Sequence, residues 1–215
     1  MSQRYRDARR RQILDAARRC FARAGFHGTS MQDIFVESGL SAGAVYGHFA
    51  GKDDLVNAII EDVLSEIAAT LDALTDAQPA PALHQVLGQV LEVLDRPPHS
   101  GELARLAVQV WAEAGRNPEL GERLSRYYRQ MADRFTALVQ RYQHDATLPG
   151  DVSAHHLAQV LTAVGPAFLA QRALLDDINA DTFTHGVRGL LVGPSQPLRP
   201  SVSQTPTGSA ATGLR

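Results

Sequence analysis

The 215-residue sequence predicts an all-α fold. Apolar residues recur at three- and four-residue intervals through nine successive segments, which is the spacing of a helix face turned toward a core. No segment alternates apolar and polar residues as a half-buried strand does. Glycine, proline and capping residues separate the segments, as is typical of helices joined by short loops.

Residues that cap or break helices mark the ends of the first four predicted helices. The first has its apolar face along residues 13–24, the second spans residues 31–38, the third ends at about Phe49, and the fourth carries an apolar stripe to Leu74. The residues that stop, cap or begin these helices are Gly25, Ser30, Gly39, Ser41 and Asp53.

Five further segments complete the predicted series of helices. Breaks rich in proline and glycine separate them at residues 78–81, 97–98, 115–118 and 149–150. Asn117 and Pro118 supply an N-cap and a first-turn proline for a long helix. Residues 193–215 carry no apolar stripe and contain four Pro, three Gly, four Ser and three Thr, so we expect a disordered tail.

Charge is unevenly distributed along the chain. The net charge of −2 argues by itself against a nucleic-acid partner. Residues 1–52, however, hold nine basic and four acidic residues and so carry +5, whereas residues 53–215 hold twelve basic and nineteen acidic residues and carry −7. This asymmetry predicts two regions with different partners, the first of which faces a polyanion.

Composition excludes several classes of protein. The single cysteine, Cys20, cannot form an intramolecular disulfide, and its place on an apolar face predicts a buried, unreactive thiol. No apolar run reaches the roughly 18 residues of a spanning helix, and the arginine-rich start lacks the apolar region of a secretory signal. We therefore expect a soluble cytoplasmic protein without a cofactor. The histidines lack partners at helical spacing, so no metal site is expected.

Residues 25–55 contain the most informative pattern. Two short helices joined by residues 38–40 have the arrangement of a helix-turn-helix, whose second helix enters the major groove of DNA. Ile34 and Val45 would pack the two helices together, and Gly39 would adopt the left-handed turn. Small residues at positions 42–44 would let the backbone of the second helix approach DNA closely.

At these positions the sequence resembles the N-terminal signature of the TetR family of transcriptional regulators. The matching residues are Gly25, Thr29, Ile34, Gly39, Ser41, Gly43, Tyr46, His48, Phe49, Lys52 and Leu55. The resemblance covers residues 9–191 and implies a three-helix DNA-binding domain at residues 1–52, followed by a six-helix ligand-binding and dimerisation domain at residues 53–192. Phe35 departs from the family pattern, where a small residue is usual, and Gly47 stands where a larger one is usual.

The resemblance and the arginines before the motif together predict the DNA contacts. These are assigned to Arg4, Arg6, Arg10, Thr29, Ser30, Ser41, Ala42, Gly43, Tyr46, His48 and Lys52. Ala42 and Gly43 are implied at base edges and most of the others at phosphates, which fix register more than sequence. A merely solvated helix face is the alternative for the arginines. For Arg4 and Arg6, an unstructured arm in the minor groove also stays open.

The later helices are assigned to ligand and dimer contacts. Candidate pocket residues, with ordinary core packing as the alternative, are Trp111, Tyr127, Phe135 and Phe168. Candidate dimer contacts are Leu157, Leu161, Phe168, Phe183 and Val187. Gly165 and Pro166 are expected to contribute to dimer packing. Because few charges fall on these apolar faces, the expected effector is uncharged or aromatic.

The predicted function is a repressor that binds a palindromic operator as a homodimer and is released by a small molecule. Two-fold symmetry would place the recognition helices about 34–36 Å apart. One alternative is a regulator that answers to a protein partner or to no ligand; a filled core, rather than an apolar cavity of about 300 Å³ or more, would favour it. Another is an enzyme with Asp151, His155 and His156 as acid–base groups, for which no nucleophile is paired with a base.

Overall fold

The structure, a computed structural model, describes residues 3–96 and 100–191. The regular secondary structure of this part is entirely helical, which confirms the all-α prediction. Its helices are α1 (Gln3–Gly28), α2 (Met31–Ser38), α3 (Ala42–Tyr46), α4 (Lys52–Asp76), α5 (Leu83–Leu94), α6 (Ser100–Ala114), α7 (Pro118–His144), α8 (Ala154–Leu174) and α9 (Ala180–Leu191). The predicted tail at residues 193–215 and the break at residues 97–98 lie outside the described residues.

The caps of α2 and α3 are those that the sequence predicts. Ser30 caps α2: its Oγ accepts a hydrogen bond from the amide of Asp33 at 3.2 Å, and its own amide donates to the Asp33 carboxylate at 2.8 Å. Ser41 caps α3, with the amide of Ala44 3.3 Å from its Oγ. Gly39 ends α2 with a φ of 66°, a left-handed conformation in which a side chain would be strained.

Gly25 breaks α1 without ending it. Its φ of 77° and ψ of 168° lie in a region that essentially only glycine occupies. The chain then makes a further turn to Gly28, because the amide of Thr29 still donates to the carbonyl of Gly25 at 3.1 Å. The predicted helix end is therefore a kink, and the last turn of α1 has its own direction.

A first apolar core holds the N-terminal helices together. Phe21 of α1, Ile34 of α2 and Val45 of α3 are fully buried in it. The same core includes Ile59 of α4, Leu106 and Val110 of α6, and Leu124 of α7. The N-terminal packing unit thus extends past residue 52, into helices that the sequence assigns to the second domain.

A second apolar core joins α4 to α5, α6, α7, α8 and α9. Phe168 of α8 is fully buried there and meets Phe183 of α9 edge-on, with ring centroids 5.6 Å apart. Gly88 of α5 leaves room for Thr184 of α9, whose Cγ2 would lie only 3.0 Å from an added Cβ. None of the described helices combines the length and the apolar character needed to cross a membrane.

Candidate nucleic-acid interface and ligand cavity

The helix-turn-helix formed by α2 and α3 is tied to α1 by polar contacts. Gln12 of α1 donates to the carbonyl of Ser38, the last residue of α2, at 2.7 Å. Glu37 of α2 accepts from Arg19 at 2.7 Å and lies 3.4 Å from Arg23. The hydrogen bond from Arg19, with the charges of both arginines, holds the pKa of Glu37 below its ordinary value. Two of the arginines that precede the motif therefore hold α2 in place.

α3 presents a surface of small side chains to solvent. Ser41, Ala42, Gly43 and Ala44 are all exposed, and a Cβ added at Gly43 would meet nothing within 4 Å. Gly47, which follows the helix, adds no side chain either. Such a surface allows a close approach of the backbone but offers few hydrogen bonds to base edges. On DNA it would favour contacts with thymine methyls and readout of groove shape.

An aromatic pair joins α2 to the end of α3. The rings of Phe35 and Tyr46 meet edge-on, with centroids 5.4 Å apart and planes inclined by 71°. This contact accommodates Phe35 where a small residue is expected. Tyr46 remains 52% exposed, so its hydroxyl is free to reach a phosphate. His48 is half-buried beside Phe49, with ring centroids 6.3 Å apart.

Arg4 and Arg6 lie in the first turns of α1, and both are exposed. The structure therefore contradicts the unstructured arm, because α1 begins at Gln3 and its helix includes both arginines. Within the described part of the chain, neither arginine is part of an ion pair. Their charge remains available for a polyanion.

Three other predicted DNA contacts are engaged inside the protein. Arg10 lies 3.0 and 3.1 Å from the two carboxylate oxygens of Asp62. Lys52 donates to two backbone carbonyls at 2.7 and 2.8 Å. Thr29 is 2% exposed, and its hydroxyl donates to the carbonyl of Gly25 at 2.8 Å. Thr29, Arg10 and Lys52 therefore all have hydrogen-bond partners within the chain, and the phosphate contacts assigned to them stay predictions.

An apolar cavity of about 130 Å³ lies among α4, α5, α6, α7 and α8. Of the four candidate pocket residues, Trp111, Tyr127 and Phe135 line it, whereas Phe168 is buried in the second core and does not. The aliphatic walls of the cavity cannot be recognised in the sequence, because their spacing is that of ordinary core residues. These wall residues include Ile59, Ile60, Val63, Leu91, Leu106, Val110, Met131 and Leu169. The volume of the cavity lies between a filled core and the roughly 300 Å³ that would separate the two kinds of regulator.

The polar groups of the cavity are neutral. Trp111 donates from Nε1 to the hydroxyl of Tyr128 at 2.9 Å, and Tyr127 donates to Glu61 at 3.1 Å. Burial raises the pKa of both tyrosine hydroxyls above the ordinary value, so they stay protonated at neutral pH. No acidic or basic side chain is among the described residues that line the cavity.

The residues predicted to form a dimer interface face the core of their own chain. Leu161 is 8% exposed and Phe168 is fully buried, while Leu157, Phe183 and Val187 pack half-buried against the second core. The apolar stripe that suggested an interface is taken up by helices of the same chain. Similarly, Gly165 packs against a helix of its own chain. A Cβ added at Gly165 would lie 3.2 Å from Leu94 of α5.

Other positions of α8 and the last turn of α9 carry exposed apolar side chains. Val160 is 66% exposed and Leu174 is 82% exposed on α8, and Leu190 is 86% exposed on α9. Ala163 and Ala167 lie between the first two at helical spacing and are also exposed. Sequence periodicity misses this surface, since small residues break its stripe. These five residues, four of α8 and Leu190 of α9, are together called the α8–α9 face below.

The histidines and the cysteine considered for metal or enzyme chemistry are an exposed pair on α8 and a buried thiol on α1. Among the described residues, no three His, Cys, Asp or Glu side chains are grouped as a metal site requires. His155 and His156 have ring centroids 6.4 Å apart on the exposed first turn of α8. Cys20 is buried, and this burial raises the pKa of its thiol, as expected for an unreactive cysteine.

Comparisons with known proteins match both halves of the chain. Residues 13–59 match the model described as bacterial regulatory proteins, tetR family, and residues 79–181 match the C-terminal model of BetI-type transcriptional repressors. The HTH-type transcriptional repressor Rv1474c of Mycobacterium tuberculosis (strain ATCC 25618 / H37Rv) is 31% identical over 160 residues, which cover 72% of this chain and 79% of the repressor.

Two solved structures share the fold. Salmonella enterica GusR has 29% sequence identity and a TM-score of 0.65, and the match covers 86% of this chain and 96% of that one. SmeT, solved as a complex with triclosan, has 23% identity and a TM-score of 0.69, with 89% of this chain and 99% of that one covered.

Proposed function

The chain belongs to the TetR family of bacterial transcriptional regulators, and on that premise we propose that it is a repressor released from a palindromic operator by a small neutral molecule. Membership makes it a DNA-binding regulator and not an enzyme. One observation carries the finer proposal. Leu106 and Val110 of α6 line the cavity and also belong to the core of the helix-turn-helix domain. A ligand in the cavity would therefore touch residues that support the DNA-binding helices.

The proposed DNA surface consists of the exposed part of α3, together with Tyr46 and the exposed arginines of α1. Ser30, Ser41, Ala42, Gly43 and Tyr46 remain its candidate contacts, and all are exposed. Selection of duplexes from a random library, followed by a salt titration, tests this role. The logarithm of the binding constant should fall linearly with the logarithm of the salt concentration, with a slope near −0.9 per phosphate neutralised. A response that is flat with salt would refute DNA binding through this surface.

The proposed homodimer forms through the α8–α9 face. Exposed leucine and valine side chains with alanines between them would allow two helices to pack closely, and their burial is the main favourable contribution to association. The two-fold axis of such a dimer would hold two α3 helices against successive major grooves. Sedimentation at several protein concentrations gives the mass directly, and a monomer throughout would contradict the proposal.

The proposed effector is neutral, apolar and small. An apolar cavity of about 150 Å³ holds benzene in a protein core, so a cavity of about 130 Å³ suits one ring and must widen for more. The tyrosine hydroxyls and the indole N–H offer orientation without charge, whereas a carboxylate or ammonium would lose its hydration here without a partner. Triclosan, which SmeT holds in its solved complex, is one aromatic compound to include in a screen.

Trp111 makes the screen specific to the cavity. It is the only tryptophan of the chain and lines the cavity, so its fluorescence reports occupancy there. A ligand should shift the emission and raise the melting temperature through mass action. Ala107→Phe, which fills the cavity from α6, should abolish both effects. Gln130→Leu, on an exposed turn of α7, is the matched control and should leave both unchanged.

A regulator that answers to a protein partner or to no ligand is the second candidate. The observation that favours it is the cavity volume of about 130 Å³, which is below the size of most ligand pockets. If no neutral compound of one or two rings changes Trp111 fluorescence, and Ala107→Phe binds the operator like the wild type, this second candidate replaces the first.

A further inference from the structure

Gln109 of α6 is a polar link between the body of the protein and the carboxyl end of α1. Its Oε1 accepts the amide of Phe26 at 3.0 Å, and its Nε2 donates to the carbonyl of Phe21 at 3.4 Å. Both partners flank Gly25, whose ideal Cβ would lie 3.6 Å from the same Oε1. The side-chain amide of Gln109 therefore bridges the kink of α1. It satisfies a backbone carbonyl that precedes Gly25 and a backbone amide that follows it.

The residues that follow the kink lead directly into the helix-turn-helix. Lys52 of α4 donates to the carbonyls of Phe26 and Thr29, and its ammonium lies 4.7 Å from the centre of the Phe26 ring. Ser30, the next residue, is the N-cap of α2. A shift of residues 25–29 would therefore displace the start of α2, and α3 with it.

The same helix that carries Gln109 forms a wall of the cavity. Leu106 and Val110 lie on either side of it in sequence and line the cavity, as does Trp111. One turn further along α6, a carboxylate oxygen of Glu113 lies 3.0 Å from Nε2 of His27 of α1. α6 thus contacts the cavity on one side and the end of α1 on the other.

We propose that Gln109 is a positioning residue that transmits occupancy of the cavity to the helix-turn-helix through the kink of α1. A ligand that displaces α6 moves the side-chain amide, which carries Phe26 and hence residues 25–29 with it. The proposal rests on the proposed function, since it requires a cavity ligand and DNA binding. It assigns the signal to the end of α1, in addition to any movement of α4.

The test measures coupling rather than stability. The affinity for a duplex selected by the wild type is measured with and without saturating 2-naphthol, a neutral two-ring fluorescent probe. The ratio of the two dissociation constants is the coupling factor, for which about 5- to 150-fold is typical. We expect Gln109→Leu to lower this factor to less than about twofold. Its affinity for 2-naphthol without DNA should stay within about twofold, since Gln109 does not line the cavity.

Three further variants make the result specific. Gln109→Glu keeps an acceptor for the Phe26 amide and should retain most of the coupling. Gln109→Asn is shorter by one methylene and should lose it, which serves as the test if the leucine variant does not fold. Gln130→Leu, the exposed control, should keep the wild-type factor.

The outcomes separate the inference from the function on which it rests. Wild-type coupling that persists in Gln109→Leu and Gln109→Asn overturns the role of Gln109 and leaves the proposed function standing. A wild type that binds no duplex, or whose affinity is changed neither by 2-naphthol nor by any other neutral compound of one or two rings in the screen, overturns the proposed function and this inference with it. Loss of coupling in all variants, including Gln130→Leu, also overturns a specific role for Gln109.

Discussion

Three glycines near the helix-turn-helix give a prediction about stability. Replacing glycine by alanine should stabilise the protein at one of the positions and destabilise it at the other two. Gly39 has a φ of 66°, Gly25 has a φ of 77° with a ψ of 168°, and Gly43 lies within α3. Each is changed separately to alanine. Space is not the deciding factor, since an added Cβ would meet nothing within 4 Å at Gly39 or Gly43 and only an ordinary contact at 3.6 Å at Gly25.

Backbone conformation sets the magnitudes. A side chain in the left-handed region costs about 1–2 kcal/mol, and replacing glycine returns about 0.4–1 kcal/mol by restricting the unfolded chain. Gly39→Ala should therefore lower the free energy of unfolding by about 1 kcal/mol. Gly25→Ala should lower it more, because that region is essentially closed to other residues and costs up to about 3 kcal/mol. Gly43→Ala should raise it by about 0.5–1 kcal/mol through helix propensity.

Urea unfolding followed by helical circular dichroism measures the three differences, at one protein concentration so that association contributes equally. The expected order of stability is Gly43→Ala, wild type, Gly39→Ala and Gly25→Ala. A Gly39→Ala variant as stable as the wild type, or a Gly43→Ala variant less stable than Gly39→Ala, would refute the reasoning. The order of the variants in operator affinity should differ from their order in stability, since Gly43→Ala adds a methyl to the surface proposed to approach DNA.

Three other predictions concern the DNA surface, acid stability and the dimer. Arg4→Ala should reduce the salt slope of operator binding by about 0.9, whereas Tyr46→Ala should weaken binding to all duplexes alike; a change at one base pair only would contradict the role of Tyr46. Glu37→Gln should lower stability at pH 7 by up to about 1 kcal/mol. Because the pKa of Glu37 is lowered in the folded state, this contribution is present above the unfolded pKa and is lost as the pH falls through the folded pKa. The difference in unfolding free energy between variant and wild type, measured in urea, should therefore shrink toward pH 3. A difference that stays constant with pH would exclude the ion pair as its source. Val160→Asp should give a folded monomer by sedimentation, whereas Leu161→Asp, at a core position, should unfold the protein; the reverse result would restore the interface predicted from sequence.

The helices themselves could be predicted because their signals are local. Ser30 and Ser41 cap the helices expected of them, and Gly39 takes the left-handed turn. Each of these features depends on a few neighbouring residues and on backbone sterics. Gly25 shows the limit of such reasoning. Its conformation follows from its lack of a Cβ, but the additional turn to Gly28 depends on a hydrogen bond that forms after the kink.

The partners of charged side chains could not be predicted in the same way. Arg10 and Asp62 are 52 positions apart, and Lys52 reaches carbonyls 23 and 26 positions before it. Sequence identifies such residues as cations near a DNA-binding motif, which suggests phosphate contacts. Folding brings acceptors within reach of them, and an acceptor inside the protein competes with the phosphate for the same donor.

The sequence by itself determined the helical class, the helix-turn-helix and the family, because apolar periodicity, caps and glycine conformations are properties of short segments. Only the tertiary structure decided which apolar residues are available to a ligand or a partner chain. Leu161 and Val160 are adjacent in sequence, yet one is in the core and the other is exposed on the α8–α9 face. An apolar stripe shows that a helix face is buried, but only the packing of the other helices determines what covers it.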